Sequence, residues 1–140
     1  MNSGGLNITW ERFPIDDFSC TIQDKEWTIK QITNGEKLNK EGEYMHNCVF
    51  SYMDQCIDKK RSIFSLRCRD KSGSIGDKSA TVEIASDKSL SQARGRFNNK
   101  LNIETKDIIK KWTKENGINI NNYFGESNEV INDDIFFEEM

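Results

Sequence analysis

One histidine, one proline and no Cys-x-x-C pair leave this sequence of 140 residues without the ligand pattern of structural zinc. Zinc modules draw four ligands from closely spaced Cys and His. Cysteines 20, 48, 56 and 68 with the lone His46 do not make such a set, so no metal site and no cofactor is expected. Nor is there an apolar run near the ~18 residues that cross a bilayer. The start, Met1-Asn2-Ser3-Gly4-Gly5, has no basic residue and no apolar stretch. That argues against a secretory signal and for a cytoplasmic protein with no membrane partner. Thiols in that setting stay reduced. Cys20, Cys56 and Cys68 therefore read as small buried apolar residues.

Basic residues are missing from the end of the chain. No Lys or Arg follows Lys114, while seven acids do. Residues 25–114 carry 19 Lys and Arg against 12 Asp and Glu, so a net charge of -3 conceals a basic body and an acidic tail. A basic body suits a polyanionic partner, nucleic acid or nucleotide, though it also fits plain solvated faces. The length suits one domain. The boundaries read as an N-terminal arm over 1–24, an α+β domain over 25–116 and an acidic tail over 117–140.

Hydrophobic periodicity gives the elements. Ile8 to Phe13 alternates and is stopped by Pro14, as in a short strand or extended arm. Phe18–Ile22 and Trp27–Ile32 flank a turn-like stretch and predict a β-hairpin. Leu38 to Gly42 reads as a polar loop. Glu43 to Ile57 reads as a helix, with Tyr44, Met45, Cys48, Val49, Tyr52, Met53 and Cys56 on one apolar stripe. Ser62–Arg69, Ala80–Ala85 and Ser89–Arg94 alternate as strands, with a Gly- and Ser-rich hairpin loop at 70–79. Asn99 to Asn116 holds a second helix, packed by Leu101, Ile103, Ile108, Ile109 and Trp112 and ended by Gly117. The fold class is α+β: a small antiparallel sheet, made of the N-terminal hairpin and a three-stranded meander, packed against two main helices.

One face of the meander is chemically loaded. Ser65, Arg67, Thr81 and Glu83 fall on it, and Arg67 and Glu83 are placed to pair across neighbouring strands. Gln92 and Arg94 follow on the third strand, then Gly95, Arg96, Asn98 and Lys100. A Gly beside a polar strand end often marks a close ligand approach. His46 and Cys48 lie at the start of the expected helix, where the dipole favours a thiolate. Residues at i and i+2 point about 200° apart on a helix, which disfavours a His–Cys dyad. Cys48 is then either core packing or a nucleophile. His46 is the better acid–base candidate. The candidate catalytic set is His46, Arg67, Glu83 and Gln92. The candidate ligand contacts are Tyr52, Arg94, Gly95, Arg96, Asn98 and Lys100.

Four segments taken in order, Glu41-Gly42-x-x-Met45-His46-Asn47-Cys48-Val49-x-x-Tyr52, Ile63-Phe64-Ser65-Leu66-Arg67, Ala80-Thr81-Val82-Glu83 and Gln92-Ala93-Arg94-Gly95-x-x-Asn98, resemble the PcfJ-like proteins over roughly residues 27 to 115. The resemblance implies a bacterial protein of conjugative plasmids, phages or other mobile elements. It also implies that His46, Cys48, Tyr52, Arg67, Glu83, Gln92, Gly95 and Asn98 belong to the family pattern. It supplies no reaction.

Three functions fit these residues. The first is a nucleic-acid-binding or nucleic-acid-processing domain, with Arg94, Arg96 and Lys100 on phosphates and Phe97 or Tyr52 stacking on a base. Glu83 is the only acid on the loaded face, too few for a metal-dependent nuclease, so any reaction would use His46 and Glu83 with Arg67 stabilising charge. The second is a nucleotide-binding enzyme or sensor. The third is a non-enzymatic inhibitor that contacts a host or defence protein, its acidic tail mimicking nucleic acid. The first is the leading expectation.

Overall fold

The computed structural model describes residues 5–70, 78–121, 123 and 124. The loop expected at 70–79 lies largely outside the described residues, as does the acidic stretch from residue 126 onward. Strands β1 (Phe18–Ile22), β2 (Lys25–Ile32), β3 (Arg61–Asp70), β4 (Ala80–Ala85) and β5 (Leu90–Arg94) form one antiparallel sheet in sequence order. Helices α1 (Gly35–Met45) and α2 (Met53–Ile57) lie between β2 and β3, and α3 (Ile103–Glu115) follows β5. The fold is α+β, as the periodicity indicates. The first hairpin turns on Gln23 and Asp24, whose φ angles of 51° and 66° match the twist of the strands they join.

Period-two alternation divides the sheet into two faces. Trp27, Ile29, Phe64, Leu66, Ala80, Val82, Ile84 and Ala93 bury one face against Ile108, Ile109 and Trp112 of α3. Phe64 meets Trp112 edge to face at 4.8 Å, the geometry that ring quadrupoles favour. Ile15 also joins this cluster, fully buried, and Trp112 Nε1 donates to the Asp16 carbonyl at 3.1 Å. The segment before β1 is thereby tied to the core. The opposite face carries a smaller cluster of Ile32, Leu38, Val49, Cys56 and Ile63 under α1 and α2. Burial pushes the Cys56 thiol up to about 11, so near neutral pH it is a packing group.

The free edge of β5 is covered locally. Tyr123 Oη accepts from Ala93 N at 2.9 Å and donates to Ala93 O at 3.0 Å. Leu90 N donates to Asn119 O at 2.8 Å. These bonds satisfy edge groups that would otherwise face solvent.

Several expectations need correction. Ile8–Phe13 is not a strand: Thr9 makes a single bridge to Asn34. The expected loop at 38–42 is part of α1, and the expected helix over 43–57 breaks after Met45. Helix α1 is polar on most of its surface and buries Leu38, Glu41 and Met45 besides its first glycine. A buried stripe interrupted by a glutamate does not read as amphipathic. Ile103, expected to pack α3, is 75% exposed at the helix start. The first turn of α3 is fixed instead by its Asn102 cap, which accepts from Glu104 N at 2.8 Å and Thr105 N at 3.3 Å.

Candidate functional site

Helix α1 starts on Asn34, whose side chain accepts from Lys37 N at 2.8 Å. It ends at His46, which adopts the left-handed conformation (φ 55°, ψ 55°) and sends its N–H back to Gly42 O. That reversal is uncommon outside glycine, and it aims the chain across the sheet. Asn47 stabilises the reversal: Val49 N donates to its Oδ1 at 3.0 Å, and its Nδ2 donates to Thr81 Oγ1 at 3.2 Å. A 3₁₀ turn over Val49–Tyr52 then leads into α2. His46 and Cys48 are therefore not at a helix start. His46 caps the end of α1, and Cys48 precedes the 3₁₀ turn, exposed rather than in the core.

Beneath α1 lies a buried polar chain. Thr81 Oγ1 donates to Glu41 Oε2 at 2.6 Å, and Arg67 Nη2 donates to Glu41 Oε1 at 2.8 Å. The Glu41 side chain is only 3% exposed. Asn47 to Thr81 to Glu41 is a directed chain in which each donor polarises the next, with Arg67 supplying the countercharge. The Arg67 guanidinium also lies over the Tyr44 ring at 4.6 Å, and that of Arg96 over the same ring at 4.5 Å. Arg96 Nε donates to Tyr44 O at 2.9 Å, which ties the end of β5 to α1.

The expected Arg67–Glu83 pair is not formed. Glu83 stands opposite Ile63, while Arg67 lies two same-face positions further along β3, beside Thr28 of β2. The two residues share a face, but each has another partner. Glu83 pairs with Arg61, whose Nε donates to Gln55 Oε1 at 2.6 Å and whose guanidinium lies over the Tyr52 ring at 4.8 Å. Nor is the loaded face open, since α1 and the 3₁₀ turn cover much of it.

What remains uncovered is a cavity of about 390 Å³, lined by Asn47, Cys48, Val49, Tyr52, Thr81, Glu83, Gln92, Arg94 and Asn98. Its lining grades in depth. Cys48 and Asn98 are exposed, Asn47, Tyr52, Gln92 and Arg94 are half-buried, and Val49, Thr81 and Glu83 are buried. A register shift at Glu83/Ile84 makes a bulge in β5 at the cavity wall, a device that re-aims side chains beside sites. Beside the cavity, the His46 and Phe97 rings stack at 4.2 Å with 13° between planes, and Phe97 is 58% exposed. Phe97 and Asn98, like His46, take positive φ, here 59° each. Non-glycine residues in that region carry strain, which clusters at functional sites.

Of the residues singled out in the sequence, Cys48, Tyr52, Glu83, Gln92, Arg94 and Asn98 meet at the cavity. His46 lies beside it on Phe97, and Arg96 is held on Tyr44. Arg67 serves Glu41. Lys100 is exposed and outside the lining. Gly95 has φ -80° and room for a Cβ at ordinary contact distance, so neither its conformation nor its surroundings demand glycine. Sequence reasoning passed over Glu41, Tyr44, Asn47 and Arg61. The available signal was Glu41 itself, an acid between Leu38 and Met45 on one helical face. Among the described residues, no group of three or more His, Cys, Asp or Glu is placed to hold a metal ion, and no helix is long and apolar enough to cross a membrane.

A family model described as PcfJ-like protein matches residues 11–109. No curated protein and no solved structure matches the chain. The matched span includes all five strands, both helices over the loaded face and every residue that lines the cavity.

Proposed function

This chain belongs to the PcfJ-like family, and from that premise we propose that its site binds a single strand of nucleic acid and seats one nucleotide in the cavity. The observation that carries the reading is a nucleotide-sized cavity whose polar wall is uncommitted. Gln92, Arg94 and Asn98 make no side-chain hydrogen bond or ion pair within the described residues, yet all three line it. The volume falls in the range of small-ligand sites, roughly 300 to 1,000 Å³. Amide side chains offer both donors and acceptors, which suits the edges of an unpaired base. The exposed Phe97 ring, backed by His46, is a stacking platform for a neighbouring base. Arg94, Arg96 and Lys100 follow one another along the chain from β5 onward and supply countercharge for the backbone.

Glu83 is the only carboxylate among the lining residues, and it is paired with Arg61. His46 does not line the cavity. The site thus favours recognition of a strand over hydrolysis of it. In this reading the chain is a bacterial mobile-element protein whose partner is nucleic acid. A free nucleotide is the second reading, favoured by the buried floor of Val49, Thr81 and Glu83.

A salt titration of binding to a fluorescent single-stranded oligonucleotide separates the two. Three phosphate contacts give a slope of about -2 in log affinity against log salt. Salt-insensitive binding of a mononucleotide, with no strand binding, would establish the second reading instead.

A further inference from the structure

We propose that Glu83 and Gln92 make the cavity selective for guanine. This deepens the strand-binding reading and rests on it. The two residues are directly opposed in the β4–β5 ladder, which brings their side chains to one face within hydrogen-bonding reach of a common ligand. Both line the cavity, Glu83 at its buried floor with a side chain 8% exposed. Arg61 engages Glu83 through Oε2, and Oε1 carries no hydrogen bond among the described residues. Gln92 likewise has no side-chain partner there.

A carboxylate only accepts, and its two oxygens offer about four lone-pair positions. One Arg61 contact therefore leaves both oxygens able to accept. The matching ligand presents two adjacent donors. Guanine does so with N1–H and the N2 amino group, side by side as a carboxylate fork requires. Its O6 acceptor lies next to them, where the Gln92 amide can donate. Adenine and cytosine each set one amino group beside a bare acceptor nitrogen. Thymine and uracil set one N–H between two carbonyls, which an acceptor-only floor repels. A phosphate is excluded from the floor for the same reason and stays at the arginine side of the cavity.

The test uses oligo(dT) strands with a single central dG, dA, dC or dT, measured by fluorescence anisotropy at one fixed salt concentration. The dG strand is expected to bind roughly tenfold more tightly than all-dT, as one good bidentate contact provides. Glu83→Gln, which swaps one acceptor for a donor, abolishes that preference. Gln92→Ala, which disturbs no ion pair, reduces it roughly threefold. Guanosine monophosphate displacing the strand more readily than adenosine monophosphate supports the same base reading. Equal affinity of the wild-type protein for all four strands, or a preference for another base, overturns guanine selectivity and leaves strand binding standing. Binding to none of the four overturns both. Because the base preference is read first on the wild-type protein, the outcome does not depend on whether Glu83→Gln folds.

Discussion

The two faces of the sheet are built on opposite principles. Against α3, ten strand positions contribute almost nothing but carbon: Trp27, Phe64, Leu66 and Val82 share one cluster with Trp112 and are essentially dry. Against α1, the same strands bury Thr81 and Glu83 alongside Ile32 and Ile63, with Ser65, Arg67, Gln92 and Arg94 half-buried beside them. The α3 face gains stability from area removed from water, which is non-directional and tolerant. The α1 face buries two carboxylates, and each must have a partner to be tolerable. Glu41 takes Arg67 and Thr81, and Glu83 takes Arg61. Among the described residues, Arg94 and Gln92 on that face make no side-chain hydrogen bond or ion pair, and both line the cavity. The contrast separates a face that holds the fold from a face that leaves a polar cavity.

The contrast can be broken from either side. Trp112→Ala removes the largest side chain of the α3 interface and should cost about 3 to 5 kcal/mol in urea unfolding. Strand affinity measured well below the denaturation midpoint should not change. Glu41→Ala strands the Arg67 charge under α1. Because Arg67 is 28% exposed by side chain, the loss should sit near about 3 kcal/mol, at the low end for a broken buried pair. The double variant Glu41→Met with Arg67→Met should recover most of that loss, since it removes both charges and keeps the volume. Full additivity of the two single losses would show that the pair is not coupled. The smallest effect has opposite signs in the two assays. Phe97→Gly relieves a residue held at φ 59° and should raise stability by about 0.5 to 1 kcal/mol. The same change removes the stacking ring and should weaken strand binding by about 1 kcal/mol or more. Stability and affinity falling together would make Phe97 a packing residue.

Sequence periodicity resolves the α3 face well and the α1 face poorly, for the same physical reason. Phe64, Leu66 and Cys68, and Val82 with Ile84, alternate because their partners are all apolar, so each strand announces its own inside. Strand β4 is found at its observed bounds. On the α1 face, burial depends on pairing between distant residues. Glu41 is acceptable inside only because Arg67 and Thr81 arrive from the sheet, and the one local sign of it is the place of Glu41 between Leu38 and Met45 on a helical face. The helix expected from Glu43 therefore begins eight residues after α1 does. That displacement sets His46 and Cys48 inside the expected helix rather than at the reversal where they lie. Glu83, Gln92 and Asn98, by contrast, can be placed from strand alternation and the turn after it, and all three line the cavity. The sequence pairs Arg67 with Glu83 rather than Glu41, because two acids are available and the choice between them is set by register and by where α1 begins.

We propose that nucleic acid binds in the cavity between the 3₁₀ turn and the β4–β5 strands. Side-chain amide resonances in a nuclear magnetic resonance titration with a single-stranded oligonucleotide report on it directly. The amides of Asn47, Gln92 and Asn98 are expected to shift first and most, with the indole N–H of Trp112 unmoved. Shifts confined to the α3 face, or spread evenly over exposed lysines with those three amides unchanged, would contradict it.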